Sequence, residues 1–174
     1  MVRVRDRRVV VAVVLIVGLL GVAAALLLRA GSGPAARDGV RVVRVIDGDT
    51  LVVSLDGGEP RVRLIGIDAP ETTNGHHDCA GAEATAALRK LVDGRDVQLV
   101  ADPTQSDTDR YDRLLRYVEL DGQDVGYRLL VMGLAREYTY SSGDPYQRQG
   151  DYRSAQQTAQ LQSDGGWYAC GWSA

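Results

Sequence analysis

The sequence predicts one mainly β domain with helices, a small β-barrel with α-helices packed on it, preceded by a single N-terminal transmembrane helix. Three observations predict this: an uncharged apolar run near the N-terminus, three closely spaced segments rich in Val, Leu and Ile, and later segments with helical spacing. Apolar residues make up 45% of the 174 residues, which allows a packed core and excludes a wholly disordered chain. With only two cysteines, a four-cysteine zinc site is excluded.

The N-terminal apolar run is long enough to span a membrane. Residues 9–28 contain only Val, Ala, Leu, Ile and Gly, and as a helix they extend about 30 Å. Four arginines lie within residues 1–8, so the positive-inside rule places the N-terminus in the cytoplasm and the following chain outside. Residues 29–38 are expected to be a flexible linker and residues 39–174 a folded domain. A cleaved signal peptide is the alternative, although its apolar region is usually about 7–15 residues long. Either way, the domain is expected to be exported.

The exported part is acidic. The first 30 residues hold five basic residues and one acidic residue, so the remainder has 15 basic against 22 acidic residues and a net charge of −7. Proteins that bind nucleic acid usually carry a basic surface. Two options remain: no polyanionic partner, or a local basic site helped by a metal ion.

Hydrophobic patterning predicts the order of strands and helices in the domain. Asp56-Gly57-Gly58 is a hairpin signal between the second and third strands. The predicted strands are Val40–Ile46, Thr50–Leu55, Arg61–Ile67, Asp96–Ala101 and Leu114–Leu120, and the predicted helices are Ala80–Val92, Asp124–Leu134 and Tyr146–Gln162.

Four acidic residues lie at the ends of predicted strands. Asp47 and Asp49 flank a glycine, which favours a simple turn, but their carboxylates are also hard oxygen ligands suited to Ca²⁺ or Mg²⁺. Asp68 and Glu71 follow the third strand, where Pro70 ends the ladder. Since ligands collect at barrel rims, all four acids are candidates for one site.

Arginines accompany these acids. Strand alternation places Arg63 on one face with Arg61, Ile65 and Ile67. A solvated head group is the ordinary alternative, but a guanidinium among apolar neighbours needs an anion, and phosphate fits it bidentately. The run Asp-Arg-Tyr-Asp-Arg at 109–113 could by itself be a solvated loop. Together with the acids, it indicates metal-assisted attack on a phosphate ester.

Four motifs, in this order and approximate spacing, resemble those of the staphylococcal-nuclease (thermonuclease) family. They are Ile46-Asp-Gly-Asp-Thr50, Arg63-Leu-Ile-Gly-Ile-Asp-Ala-Pro-Glu71, Asp109-Arg-Tyr-Asp-Arg113 and Gly133-Leu-Ala135. Each motif alone is unspecific, whereas the ordered set is specific. The resemblance implies a five-stranded OB-fold β-barrel with three packed α-helices. It also implies a monomeric Ca²⁺-dependent phosphodiesterase that cleaves DNA and RNA and leaves 3′-phosphate ends.

The resemblance also implies a cation site. Asp49 and Asp68 resemble the calcium carboxylates, and the backbone carbonyl of Ala69 would be a further ligand. Asp47 resembles a nearby outer acid. Glu71 resembles the residue that orients or deprotonates the attacking water.

The remaining implied residues contact the substrate. Arg63 and Arg113 resemble the pair that grips the scissile phosphate. Tyr111 resembles a phosphate or nucleotide contact, and Arg110, Tyr138 and Tyr140 are further candidate substrate contacts.

The chain departs from the family pattern at three places. Ala69 stands where Thr is common, which leaves a backbone ligand possible. Asp112 stands where Gly is common, and its carboxylate could pair with Arg113 or weaken phosphate binding. The segment Thr72–Asp78 is short and lacks the lysines of secreted relatives.

An exported domain with two cysteines favours a disulfide between Cys79 and Cys170, the alternative being two buried free thiols. Trp167 and Trp172 are expected to pack the C-terminal tail. Two other functions remain open: a catalytically weak OB-fold module that binds single-stranded nucleic acid, and an envelope interaction domain without a nucleic-acid role.

Overall fold

The computed structural model describes residues 39–72, 75, 77–140 and 145–173. They belong to one compact unit, Asp38–Ala174. The predicted basic N-terminus, the transmembrane helix at 9–28 and the linker lie outside the described residues. Within the described ranges, no helix is long and apolar enough to cross a membrane.

The described residues form eight strands and four helices. The strands are β1 Val40–Val45, β2 Thr50–Ser54, β3 Arg61–Leu64, β4 Ile67–Asp68, β5 Asp96–Val100, β6 Leu114–Leu120, β7 Gln123–Asp124 and β8 Arg136–Glu137. The helices are α1 Gly81–Val92, α2 Val125–Val131, α3 Gln149–Gln162 and α4 Gly166–Ala169.

Five strands close into a barrel, as predicted. β1 pairs antiparallel with β2 and β5, β2 with β3, and β5 with β6. The parallel pairing of β3 with β6, in which Val62 lies opposite Leu114, closes the ring. β4 pairs with β8 in a separate two-stranded sheet beside the barrel. Strand closure and packed helices together confirm the predicted OB-fold with mixed α and β structure.

The core lies inside the barrel and beneath the helices. Leu51 and Val62 fill the barrel, while Leu88 of α1, Leu129 of α2 and Tyr152 of α3 are fully buried against it. Burying such side chains contributes about 1.5–3 kcal/mol each, before the opposing conformational entropy. The helices are therefore held by their apolar faces, and they fix the rim of the barrel where the predicted site lies.

The third predicted strand, Arg61–Ile67, is in fact two strands. β3 ends at Leu64, and the chain turns at Gly66, whose φ is 79°. A Cβ atom at position 66 would lie 2.5 Å from the Tyr146 ring, so a side chain there would collide with the ring. The predicted alternation is consequently wrong beyond Leu64: Ile65 and Ile67 are buried, whereas Arg61 is exposed.

The helices differ from prediction mainly at their ends. α1 begins one residue later than predicted, because Ala80 adopts a left-handed conformation with φ 67°. α2 begins after Asp124, whose side chain accepts the Tyr127 N–H, and it ends before Gly133, which has φ 64°. The short helix α4 was not predicted, since its four residues carry no periodic apolar pattern.

Asp102 is a buried carboxylate that joins the loop after β5 to the segment before α3. Its oxygens accept the Thr104 N–H at 2.8 Å, the Gln147 N–H at 2.7 Å and the Tyr117 hydroxyl. Burial opposes the charge, but these hydrogen bonds prevail and lower the pKa of Asp102 below its usual value. The ionised carboxylate therefore stabilises the fold.

Asp102→Asn should lower the free energy of unfolding by about 2 kcal/mol at pH 7. Both carboxylate oxygens of Asp102 accept hydrogen bonds, whereas an amide has only one acceptor oxygen. Since the pKa of Asp102 is lower in the folded state than in the unfolded state, its contribution to stability is present above about pH 4 and is lost as pH falls further. Urea unfolding of wild type and variant at pH 7 and pH 3 should show the difference shrinking at pH 3.

Asp96→Asn is the matched control, because Asp96 makes a half-exposed ion pair with Arg41 at 2.9 Å. It should change stability by no more than about 0.5 kcal/mol. A difference between Asp102→Asn and wild type that stays constant with pH would contradict the assignment.

Candidate active site

The turn between β1 and β2 presents two acids to the rim of the barrel. Asp47 and Asp49 are 8% and 4% exposed, respectively. Asp49 accepts the Ala69 N–H at 2.9 Å, and its own N–H donates to Asp47 at 3.1 Å. A side chain at Gly48 would lie 2.6 Å from the Ala69 Cβ, so only glycine lets this turn approach the Asp68–Ala69 segment.

Arg63 connects the two acidic segments. Its Nη1 donates to the carbonyls of Leu64 at 2.8 Å and Ile67 at 2.7 Å. Its Nη2 lies 3.0 Å from Asp49 Oδ2 and 3.4 Å from Asp68 Oδ1. The side chain is only 13% exposed, so this charge is stabilised by fixed partners rather than by bulk water.

Asp68 also faces a second arginine that the sequence analysis did not identify. Arg136 is opposite Asp68 in the β4–β8 pairing, and its Nη2 lies 3.7 Å from Asp68 Oδ2. Burial raises the pKa of Asp68, with Arg63 opposing that shift and Asp49 adding to it. Burial and the neighbouring acids favour the protonated form of Asp68, whereas the positive charges of the two arginines favour its ionised form.

Asp47 shows the same mutual repulsion between acids. Burial, followed by the neighbouring Asp49 carboxylate, raises the pKa of Asp47 to about 6, and Glu71 adds a smaller contribution. Glu71 itself is exposed at the end of the Asp68–Pro70 segment. The four acids therefore generate a negative potential that attracts a cation.

Asp109 fixes the second predicted phosphate-binding arginine. Its Oδ2 accepts from Arg113 Nε at 2.7 Å and pairs with Nη2 at 2.7 Å, while Oδ1 accepts the N–H groups of Tyr111 and Arg113. Although burial opposes ionisation, these hydrogen bonds lower the pKa of Asp109. Asp109 was quoted in a motif but not identified as a site residue. The signal available in the sequence was the position of Asp109 at the start of a turn, where an Asp side chain commonly accepts backbone N–H groups.

Asp112, the unusual acid in this turn, does not pair with Arg113 in the described ion pairs, where Asp109 takes that position. The φ of Asp112 is 57°, a left-handed conformation in which glycine has no steric cost. Of the two alternatives for Asp112, the ion pair with Arg113 is thus not the one described, and backbone conformation explains why glycine suits this position.

One cavity of about 480 Å³ gathers most of the predicted residues. Asp47, Asp49 and Ala69 are buried and do not line it. The predicted residues that line it are Arg63, Asp68, Glu71, Arg110, Tyr111, Arg113, Tyr138 and Tyr140. The rest of the lining was not predicted and consists of Leu64, Ile65, Gly66, Ile67, Gln105, Ser106, Thr108, Asp109, Leu115 and Tyr146.

Aromatic rings form the open side of this cavity. Tyr111, Tyr138 and Tyr140 are 53%, 45% and 79% exposed. The guanidinium of Arg110 lies 4.8 Å from the centre of the Tyr111 ring and that of Arg113 lies 5.5 Å from it. Exposed rings beside arginines suit a ligand with flat aromatic groups and phosphates.

The donor set fits a hard divalent cation. Among the described residues, no three acidic, histidine or cysteine side chains form a metal cluster. Asp49 and Asp68 nevertheless share one guanidinium nitrogen of Arg63, which brings their oxygens close together. Two carboxylates, a backbone carbonyl and water are the ligand types that Ca²⁺ uses.

The two cysteines form a disulfide. Cys79 and Cys170 have Cα atoms 5.8 Å apart, and the bond joins the start of α1 to the C-terminus. Trp167 and Trp172 pack edge to face with ring centres 5.3 Å apart.

Comparisons with known proteins show which family the chain resembles. A family described as "Staphylococcal nuclease homologue" matches residues 61–169. A thermonuclease of Staphylococcus hyicus is 35% identical over 133 residues, which cover 75% of this chain and 76% of that protein.

Further relatives are matched over a smaller share of their length. A thermonuclease of Staphylococcus intermedius is 38% identical over 107 residues, 60% of this chain and 62% of that protein. Endonuclease YncB of Bacillus subtilis is 38% identical over 111 residues, 62% of this chain and 52% of that protein. The chain thus spans less than two thirds of these two relatives.

Asp112→Gly should raise the free energy of unfolding by about 0.5–1 kcal/mol, because it removes the steric cost of the left-handed conformation. Urea unfolding measures the change. Asp112→Ala is the matched control, since it removes the same charge but keeps a Cβ, and it should not stabilise the fold. Equal stabilisation by both variants would assign the effect to the carboxylate instead of the backbone.

Proposed function

Because the chain belongs to the staphylococcal nuclease family, we propose that it is a Ca²⁺-dependent nuclease that hydrolyses DNA, and also RNA, outside the cytoplasm and leaves 3′-phosphate ends. One observation carries this proposal: Arg63, Arg113, Asp68 and Glu71 line a single cavity, and Asp49 forms an ion pair with Arg63. The family match and the thermonuclease relatives identify a hydrolytic nuclease, a phosphodiesterase. The metal, the products and the location are the proposed refinements.

The two arginines bind the scissile phosphate. Arg63 and Arg113 line the same cavity and are held from behind by Asp49 and Asp109, so neither must pay much conformational entropy to bind. A guanidinium presents paired donors to phosphate oxygens. As negative charge grows on those oxygens during attack, the same donors stabilise it.

Asp49, Asp68 and the Ala69 carbonyl would hold the cation, with Asp47 as an outer acid. Bound Ca²⁺ would polarise a phosphate oxygen and offset the negative charge of the site. Asp49 already accepts the Ala69 N–H, so the segment that carries two of these ligands is fixed in advance. The residues therefore present hard oxygens at a preorganised position.

Glu71 is the candidate that orients the attacking water and accepts its proton. It lines the cavity next to Asp68 and is exposed to solvent, so water reaches it. A carboxylate in this position can take one proton from water as the oxygen attacks phosphorus. The bond from phosphorus to the 5′ oxygen of the next nucleotide breaks, that oxygen leaves with the electron pair and takes a proton from solvent, and the phosphate stays on the 3′ end.

The exposed tyrosines are proposed to bind the flanking nucleotides. Tyr111, Tyr138 and Tyr140 surround the open side of the cavity, and stacking on a ring accepts any base. The arrangement favours unpaired strands, since paired bases hide their faces. Although the domain is acidic overall, three arginines, Arg63, Arg110 and Arg113, line the cavity and supply local positive charge for the phosphates.

The location is proposed from the sequence and from the disulfide. The uncharged run at 9–28 would anchor the chain as a single-pass membrane protein with its catalytic domain outside. A disulfide between Cys79 and Cys170 suits an oxidising compartment. Millimolar Ca²⁺ in that compartment would fill even a weak site. The domain is proposed to act as a monomer.

Hydrolysis of fluorescent single-stranded DNA and RNA by the purified chain tests the proposal. Cleavage should require Ca²⁺, stop with a chelator and produce 3′-phosphate ends. Arg63→Gln and Glu71→Gln should each lower kcat/KM by at least about 100-fold, because each removes a group that acts in the transition state.

Arg44→Gln is the matched control, since Arg44 makes an exposed ion pair with Glu59 at 3.0 Å on the barrel surface. It should leave cleavage unchanged. A folded wild type that binds Ca²⁺ and oligonucleotide without cleaving would overturn the nuclease proposal and support a binding module instead.

A further inference from the structure

The C-terminal residues 164–173, which we term the C-terminal hook, are linked through Cys79 and through Arg136 to the segments that carry Glu71 and Asp68. α4 lies in this hook, and the Gly166 N–H donates to the Gly133 carbonyl at 2.9 Å. The Trp172 ring covers Gly166 so closely that a Cβ there would lie 2.5 Å from the ring. The hook is therefore a compact unit seated on the chain between α2 and β8.

The first link runs from the hook through Cys79 to the segment that carries Glu71. The Glu71 N–H donates to Asp78 Oδ2 at 3.3 Å, and the Asp78 N–H donates to the Glu71 carbonyl at 3.0 Å. These two hydrogen bonds hold Glu71 next to Asp78, and Cys79 is the next residue along the chain. Since Cys79 is bonded to Cys170, the disulfide covalently joins the hook to the residue that follows this hydrogen-bonded pair.

A second contact reaches Asp68. The guanidinium of Arg136 lies 5.4 Å from the centre of the Trp172 ring, a cation–π distance. The same guanidinium lies 3.7 Å from Asp68 Oδ2. Arg136 is half exposed, so without the ring its long side chain would be free to leave Asp68.

We propose that the C-terminal hook is a positioning element for catalysis, in which the Cys79–Cys170 disulfide holds Glu71 and the Trp172–Arg136 contact holds Asp68. This proposal rests on the nuclease function proposed above. Asp68 is the last residue of β4, and Glu71 lies in the following segment, which belongs to no strand or helix. A displacement of about 1 Å in such a group can cost about 100-fold in rate. The hook therefore contributes to kcat, and reduction of the disulfide lowers activity.

Phosphate binding should be insensitive to the hook. Arg113 is held by Asp109 and Arg63 chiefly by Asp49 at 3.0 Å, and these ion pairs do not involve residues 164–173. Arg63 reaches the acid next to Arg136 only through its longer contact with Asp68 at 3.4 Å. Loss of a hook contact is thus expected to lower kcat while KM for DNA stays nearly constant. A purely structural tail would lower thermal stability and leave kcat unchanged below the melting temperature.

The test uses the full chain with Cys79→Ser/Cys170→Ser and with Trp172→Leu. Hydrogen exchange of the Glu71 and Asp78 amides is followed by mass spectrometry without cation or substrate, and kcat and KM are measured with Ca²⁺. The double variant and the reduced wild type should exchange faster at these amides and show about ten-fold lower kcat with KM within about two-fold. Trp172→Leu should lower kcat in the same direction.

Tyr168→Leu is the matched control, because Tyr168 belongs to the hook but is 81% exposed. It should match wild type in exchange and in kcat. If the cysteine variant does not fold, Trp172→Leu decides the question by the same two measurements. Unchanged exchange and kcat in folded hook variants would overturn the proposal. Because exchange is measured without substrate, a wild type that fails to cleave DNA counts against the nuclease function alone.

Discussion

The β1–β2 turn, β3 and β4 meet at the part-buried guanidinium of Arg63, and the phosphate-binding part of the site depends on it. Its two terminal nitrogens contact two backbone carbonyls and two carboxylates, which come from the β1–β2 turn, from β3 and from β4. Removing one member of such a buried charge network typically costs about 3–5 kcal/mol, because the remaining charges lose their partners. Arg63 therefore joins three segments structurally while keeping a guanidinium on the cavity wall. A binding surface of this kind is preorganised before any ligand arrives.

Backbone conformation makes this arrangement possible. Gly48 lets the acidic turn reach the Asp68–Ala69 segment, and Gly66 turns the chain so that the Ile67 carbonyl faces Arg63. Tyr146 packs against Gly66 and its hydroxyl donates to the Gly66 carbonyl at 3.2 Å. Asp109 does for Arg113 what Asp49 does for Arg63, since each carboxylate holds one arginine. Two separately supported arginines are then available to one phosphate.

The fold could be predicted from the sequence because each barrel strand has a strong local pattern. The predicted strand Leu114–Leu120 is identical to β6, and the comparisons confirm the family inferred from four ordered motifs. The continuous strand Arg61–Ile67 was wrong because the conformation of Gly66 overrides the apolar pattern. Arg136 was missed because its contact with Asp68 arises from pairing between segments distant in sequence. The assigned catalytic and cation-binding roles stay predictions, as does the membrane anchor.

Calcium titration of Arg63→Gln by calorimetry tests the central claim most directly. If Asp49 and Asp68 form the cation site and Arg63 competes for the same oxygens, a folded variant should bind Ca²⁺ at least as tightly as wild type. It should do so although it has lost hydrolysis. Circular dichroism establishes that the variant is folded. Loss of Ca²⁺ binding in a folded Arg63→Gln protein would contradict the account.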